Sequence, residues 1–135
     1  VYDWGRVSAD GRPRPLHIER ALQVIDFDQT APCKAEPLII ERREGMTRAR
    51  LVDCPQFTVE RVDLARGSQF QGRCDGSTFQ IWGCIEGHSQ LRWSGDPLSL
   101  EAIRFALLPA VLGDYALRAE EPSRLLRAFV GERGR

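Results

Sequence analysis

Ser77-Thr78-Phe79-Gln80-Ile81-Trp82-Gly83-Cys84-Ile85-Glu86 is the cleanest strand in this chain. Side chains alternate between the two faces of a strand. Phe79, Ile81, Gly83 and Ile85 therefore share one face, and Gln80, Trp82 and Cys84 share the other. Gly87 ends the strand. The apolar face that runs through it predicts Phe79, Ile81 and Ile85 inside, joined by Leu107 from a later strand.

Outward from that strand the chain reads as further short strands divided by turns. Leu91-Arg92-Trp93 follows, then a Ser94-Gly95-Asp96-Pro97 turn. Strands are expected over 98–100, 105–108, 115–118 and 125–130, with the turn Leu112-Gly113-Asp114 between two of them. On the other side, Phe57-Thr58-Val59-Glu60 alternates and Val62 and Leu64 continue in the opposite phase, which predicts a bulge or a change of face. Short strands at a spacing of roughly 8–12 residues argue for an antiparallel sandwich or barrel. No helical pattern is interleaved among them, which excludes a parallel α/β sheet.

The first thirty residues read differently. Pro13 and Pro15 precede a stretch in which Ile18, Ala21, Leu22 and Ile25 fall on one helical face. Pro15 suits a first turn, where its missing N–H is not needed. Between that helix and the strands, Pro32, Pro37 and Gly45 punctuate the chain, and Leu38-Ile39-Ile40 fits a short strand or a packed loop. Residues 31–50 are expected to act as a linker that partly wraps the domain at 51–131.

Composition narrows the function classes. Of 135 residues, 42% are hydrophobic and 28% charged, a globular balance. A chain of this size can hold a core without disulfide or metal. No apolar run approaches the roughly 20 residues of a membrane helix, and Val1-Tyr2-Asp3-Trp4-Gly5-Arg6 shows no secretory pattern. A cytoplasmic protein with no membrane partner is expected. Lys+Arg and Asp+Glu both number 19, so the net positive field of a nucleic-acid binder is missing. Cys33, Cys54, Cys74 and Cys84 form no CxxC pair, and His17 and His88 are far apart, so no tetrahedral zinc site is expected.

Catalytic signatures are also missing: there is no GxGxxG, no GxxxxGK[ST] and no GxSxG. A metal-binding cupin would carry His-x-His near Gln80-Ile81-Trp82, and this stretch has no histidine. His88 reads as an exposed turn histidine. His17, at the start of the helix, reads as a packing residue, with a substrate-pocket role as the alternative. Trp4, Trp82 and Trp93 read as core or interface residues, because base-stacking aromatics come with a basic groove.

Two passages together resemble class I mannose-6-phosphate isomerase of the short bacterial type. One is Val1-Tyr2-Asp3-Trp4-Gly5-Arg6 with Arg14-Pro15-Leu16-His17-Ile18-Glu19-Arg20-Ala21-Leu22. The other runs through Cys54-Pro55-Gln56-Phe57, Phe79-Gln80-Ile81, Glu86-Gly87, Leu107-Leu108-Pro109-Ala110, Gly113-Asp114-Tyr115 and Leu125-Leu126-Arg127. The order and spacing of these fragments, more than any one of them, carry the likeness.

The resemblance implies an all-β fold: a cupin-like antiparallel jelly-roll barrel preceded by a strand and one α-helix from the end of a catalytic barrel. Residues 1–30 would be that end, and 51–131 a C-terminal barrel without metal. The resemblance further implies an aldose–ketose isomerase acting on mannose 6-phosphate and fructose 6-phosphate. Its zinc would be held by Gln/His, Glu and His side chains of an N-terminal catalytic barrel missing from this chain. This chain would then bind no zinc and be inactive alone. Arg6 matches a basic position near the family's substrate site, where it would contact the sugar phosphate or an enediolate oxygen; a surface or inter-barrel ion pair is the competing role. The competing class is a non-catalytic cupin module that binds a sugar or a protein partner. Leu100-Glu101-Ala102-Ile103-Arg104-Phe105 departs from the family's Gly-plus-acidic turn, which predicts an altered hairpin.

Overall fold

A computed structural model describes residues 4–30 and 36–130. They fall into two units, Val1–Cys33 and Lys34–Arg135.

In the first unit, α1 spans Ile18–Val24, shorter than the periodic stretch in the sequence. The Ala21 N–H donates to the His17 carbonyl at 3.0 Å, and the Ile25 N–H to the Ala21 carbonyl at 3.2 Å. Glu19 in the first turn suits the positive end of the helix. None of its residues is buried, and Ile18, Leu22 and Ile25 are about half exposed. Of the strand expected ahead of the helix, the described residues hold one isolated bridge, between Val7 and Pro13.

Among its described residues the second unit has ten strands: β1 Leu38–Arg43, β2 Met46–Asp53, β3 Thr58–Leu64, β4 Gln69–Cys74, β5 Gln80–Glu86, β6 His88–Arg92, β7 Leu98–Glu101, β8 Arg104–Leu108, β9 Gly113–Ala119 and β10 Ser123–Phe129. They form a six-stranded sheet, β1-β2-β3-β10-β5-β8, and a four-stranded sheet, β4-β9-β6-β7. Every pairing is antiparallel. The core draws from both sheets: Val62, Trp82, Cys84 and Leu125 from the first, Phe70, Leu91, Tyr115 and Leu117 from the second. Gly87 carries the chain from one sheet to the other at φ +79°. A Cβ there would fall 2.2 Å from the Pro122 carbonyl oxygen, so only glycine fits.

The face assignment on β5 is inverted relative to the sequence reading. Trp82 and Cys84 are fully buried and Gln80 nearly so, whereas Phe79 (45%), Ile81 (37%), Ile85 (37%) and Leu107 (63%) are exposed. Trp82 brings the largest apolar surface of the strand to the interior. The polarity of Gln80 is offset there: its Oε1 accepts from Tyr115 and Arg127, and its Nε2 donates to the Arg73 carbonyl.

The connecting stretch at 31–50 holds regular structure as well. β1 and β2 pair from Leu38↔Arg50 to Arg43↔Met46, so the barrel starts earlier than 51. β3 shows no change of phase: Thr58, Glu60, Val62 and Leu64 are all buried and the residues between them half-buried. Its inward row opens with two polar residues, Thr58 and Glu60, which disguises the alternation. The register shifts lie instead at Ile39/Glu41, Arg50/Val52 and Arg124/Leu125. The turn at 102–103 is kept without glycine: Ile103 takes φ +65° and its N–H donates to the Cys84 carbonyl at 2.8 Å.

Candidate functional site in the barrel lumen

The inward alternation of β2, β3, β10 and β5 lines up Arg50, Glu60, Arg127 and Trp82 side by side across four strands. Glu60 is 3% exposed, a position where a carboxylate needs partners. Arg127 Nη1 donates to Glu60 Oε2 at 3.3 Å, and Arg48 Nη1 stands 3.6 Å from the same oxygen. Arg48 Nη2 also reaches Glu41 at 3.1 Å.

A second set of contacts continues from Arg127. Its Nε donates to Gln80 Oε1 at 3.0 Å, and the Tyr115 hydroxyl donates to the same oxygen at 2.5 Å. The Trp82 indole N–H donates to the Tyr115 oxygen at 3.1 Å. The guanidinium lies 4.3 Å from the Phe129 ring centroid, with Phe70 and Trp82 at 5.8 and 5.9 Å, within cation–π range. Burial pushes the Tyr115 phenol above its ordinary pKa, opposed in part by the Arg127 charge.

The chemical capacity of this lumen is narrow. Arginine stays protonated and cannot accept a proton, and a phenol with a raised pKa stays neutral near pH 7. Glu60 is already held by two guanidinium groups. The set orders the barrel and presents fixed polar groups, but offers no nucleophile and no poised base. Zinc does not fit it: Gln80, Trp82, Tyr115 and Arg127 are no ligand set for a cation. No group of three or more His, Cys, Asp or Glu among the described residues could hold a metal.

Of the residues singled out from the sequence, Trp82 belongs to this set as a core residue, and Arg6, His17 and His88 are not among its members. Arg6 is exposed in the first unit, where its backbone carbonyl accepts from the Arg14 N–H at 3.5 Å. His17 is exposed and occupies the helix N-cap without a side-chain capping bond. His88 is not an exposed turn residue: it opens β6, half-buried, with Nε2 2.9 Å from Ser99 Oγ. The lumen set of Glu60, Gln80, Tyr115 and Arg127 was absent from the sequence reading. A buried Glu60 would have followed from continuing the Thr58-Glu60-Val62-Leu64 alternation.

Two antiparallel sheets closed around this lumen make the second unit a cupin-like jelly-roll barrel. The chain is similar to the C-terminal region of mannose-6-phosphate isomerases. YvyI of Bacillus subtilis, which carries the name of such an isomerase, is 25% identical over 118 residues, covering 87% of this chain and 36% of YvyI. ManA, a mannose-6-phosphate isomerase of the same organism, is 23% identical over 117 residues, again covering 87% of this chain and 36% of ManA. The chain thus spans little more than a third of the curated relatives it matches. Among solved structures, the mannose 6-phosphate isomerase of B. subtilis superposes with a TM-score of 0.71 at 24% identity, over 94% of this chain and 38% of that one. KdgF from Halomonas sp. superposes at 0.61 and 19% identity, over 73% of this chain and 90% of its own. A RmlC-like cupin from Shewanella frigidimarina gives 0.60 and 15%, over 76% and 94%. No family model matches the chain.

Proposed function

We propose that this chain is the C-terminal portion of a cytoplasmic mannose-6-phosphate isomerase, an enzyme that interconverts mannose 6-phosphate and fructose 6-phosphate. The supporting observation is the alignment with two such isomerases over 87% of this chain. In this reading residues 1–30 belong to the end of the catalytic barrel, and the barrel from β1 onward is a metal-free companion. The zinc of the intact enzyme belongs to the part of the relatives that has no counterpart here.

Within that reading Arg6 supplies a fixed cation for the sugar phosphate or for an enediolate oxygen. A charge-assisted contact of this kind holds and stabilises negative charge but moves no proton. His17, exposed at the helix start, remains a substrate-pocket candidate in the intact enzyme.

The test is an isomerase assay on two proteins: the 135-residue chain, and the full reading frame that contains it. The chain alone is expected to give no fructose 6-phosphate, and the full protein to turn over with zinc. Zinc-dependent isomerisation by the short chain would defeat the proposal. A second reading, a non-catalytic cupin module that binds a sugar or a protein, draws on the single-barrel neighbours that match over 90% and 94% of their own length. A full reading frame without isomerase activity would favour it.

A further inference from the structure

The outer face of the six-stranded sheet is built to be covered. Its registers place Val52, Val59, Ala128, Ile81 and Leu107 side by side, an apolar row across β2, β3, β10, β5 and β8. The adjacent row continues it with Leu126, Gly83 and Phe105. Phe105 and Leu107 are 64% and 63% exposed. A row further on, the face turns polar. Asp63, Arg124 and Glu86 stand side by side there, with Arg124 bonded to both carboxylates at 2.9 and 3.1 Å.

An apolar centre with a charged rim is the anatomy of a protein interface, and a contiguous exposed apolar patch marks an interaction surface. Antiparallel sheets that face water on one side carry polar residues on that side; β5 and β8 do not. The lip of the patch adds an independent sign. Ile103, 81% exposed, holds φ +65°, a strained conformation for a β-branched residue. Glycine would serve the turn of an isolated barrel better, so an apolar side chain at this lip implies something for it to touch.

We propose that this face is the seat of the remainder of the isomerase chain, an inference that rests on the functional reading above. The occupant follows from length. Each curated relative is matched over 36% of itself, so each carries more polypeptide outside the match than within it. An uncovered face of this width would be an aggregation liability in a protein that contained that polypeptide and left the face bare.

Hydroxyl-radical footprinting read by peptide mass spectrometry tests this on the 135-residue chain and on the full reading frame. Modification at Phe105 and Leu107 is expected to fall at least tenfold in the longer protein. Leu98, exposed on the four-stranded sheet, should be modified alike in both. Equal modification of Phe105 and Leu107 in the two proteins overturns the proposal. So does a dimer of the short chain, seen by sedimentation, that protects the same two residues, because the occupant is then a second copy. Isomerase activity is scored separately: a protected face in a longer protein without turnover removes the isomerase reading and leaves the docking surface standing.

Discussion

The Tyr115 phenol occupies the space that a side chain on Gly72 would need. The two residues are paired across β4 and β9, and a Cβ on Gly72 would fall 2.4 Å from both the Tyr115 oxygen and its ring carbon Cζ. The ring cannot yield, because its oxygen is tied to Gln80 and Trp82 in the buried lumen. Gly72→Ala should therefore destabilise the barrel by about 2–3 kcal/mol, the scale of overpacking plus a broken buried hydrogen bond. Gly83 gives the contrast. The three atoms nearest to a Cβ there all belong to the Phe105 ring, the first at 2.4 Å, and that ring is largely exposed and can swing away. Gly83→Ala should stay within about 1 kcal/mol of the parent. Urea denaturation of both variants checks the order, and equal losses would refute it.

Glu60 and Arg127 supply the second prediction. Their side chains are 5% and 13% exposed. Removing one member of a buried ion pair leaves an uncompensated charge and costs about 3–5 kcal/mol, whereas replacing both with apolar residues is often near neutral. Arg127→Met should fall in the first range. Glu60→Met with Arg127→Met should recover most of the loss. A double variant as unstable as the single one would show that the Gln80 and aromatic contacts of Arg127, not its charge pairing, hold the lumen together.

The strand β5 shows what the sequence could and could not reveal. Its position was legible from ten alternating residues, and so were the turns at Gly87 and Ser94-Gly95-Asp96-Pro97. Its facing was not, because both faces are rich in apolar side chains. Counting apolar residues favoured Phe79, Ile81 and Ile85, while burial follows Trp82 and the hydrogen bonds that satisfy Gln80. β1 was half legible, since Leu38-Ile39-Ile40 fits a strand or a packed loop and Glu41, Arg42 and Arg43 hide its period of two, while Arg48 and Arg50 mask β2 and Gln69, Gln71 and Arg73 mask β4. The lumen set escaped for the same reason: Glu60 and Arg127 look like surface residues until the strands are paired.

The strained turn gives a third prediction. Ile103 is exposed, so Ile103→Gly removes little burial while it relieves a left-handed backbone that penalises a Cβ by roughly 1–2 kcal/mol. Part of that gain is offset by the entropy of glycine in the unfolded chain. The isolated 135-residue chain should gain about 1 kcal/mol, or a Tm rise of roughly 4 °C. Ile103→Val keeps the branching and should show no gain. A scanning calorimetry trace in which glycine lowers Tm would mean that Ile103 contributes contacts in the isolated barrel.

Arg6 carries the fourth prediction. In the full isomerase, Arg6→Ala should lower kcat/KM by roughly tenfold or more, since one charge-assisted contact contributes about 1.5–3 kcal/mol. Arg6→Lys should recover part of it by keeping the charge while losing the planar fork. An unchanged kcat/KM in Arg6→Ala would return the residue to a structural role without touching the family likeness.

Alkaline pH and thiol reagents give the last prediction. Burial raises the pKa of Cys74, against a smaller opposing pull from Arg127, and burial likewise raises that of Cys84. Tyr115 shifts the same way for the same reason. In each case the folded state keeps a proton that the unfolded state releases more readily. Stability is therefore complete below the unfolded pKa values, about 8.5 for cysteine and 10 for tyrosine. It is lost as pH climbs from there through the raised folded values, because the unfolded state then binds fewer protons than the native one. Chemical denaturation at pH 7, 9 and 10.5 should show a flat midpoint followed by a fall. Thiol reactivity should follow the same geometry. Cys54 is half-buried, with Sγ 3.3 Å from the Phe57 carbonyl, while Cys74 and Cys84 are buried. With Cys33 replaced by serine, a disulfide reagent at pH 8 should label Cys54 first, and Cys74 and Cys84 only as fast as the barrel opens. Labelling of all three thiols at one rate in native buffer would show that the lumen is open to solvent.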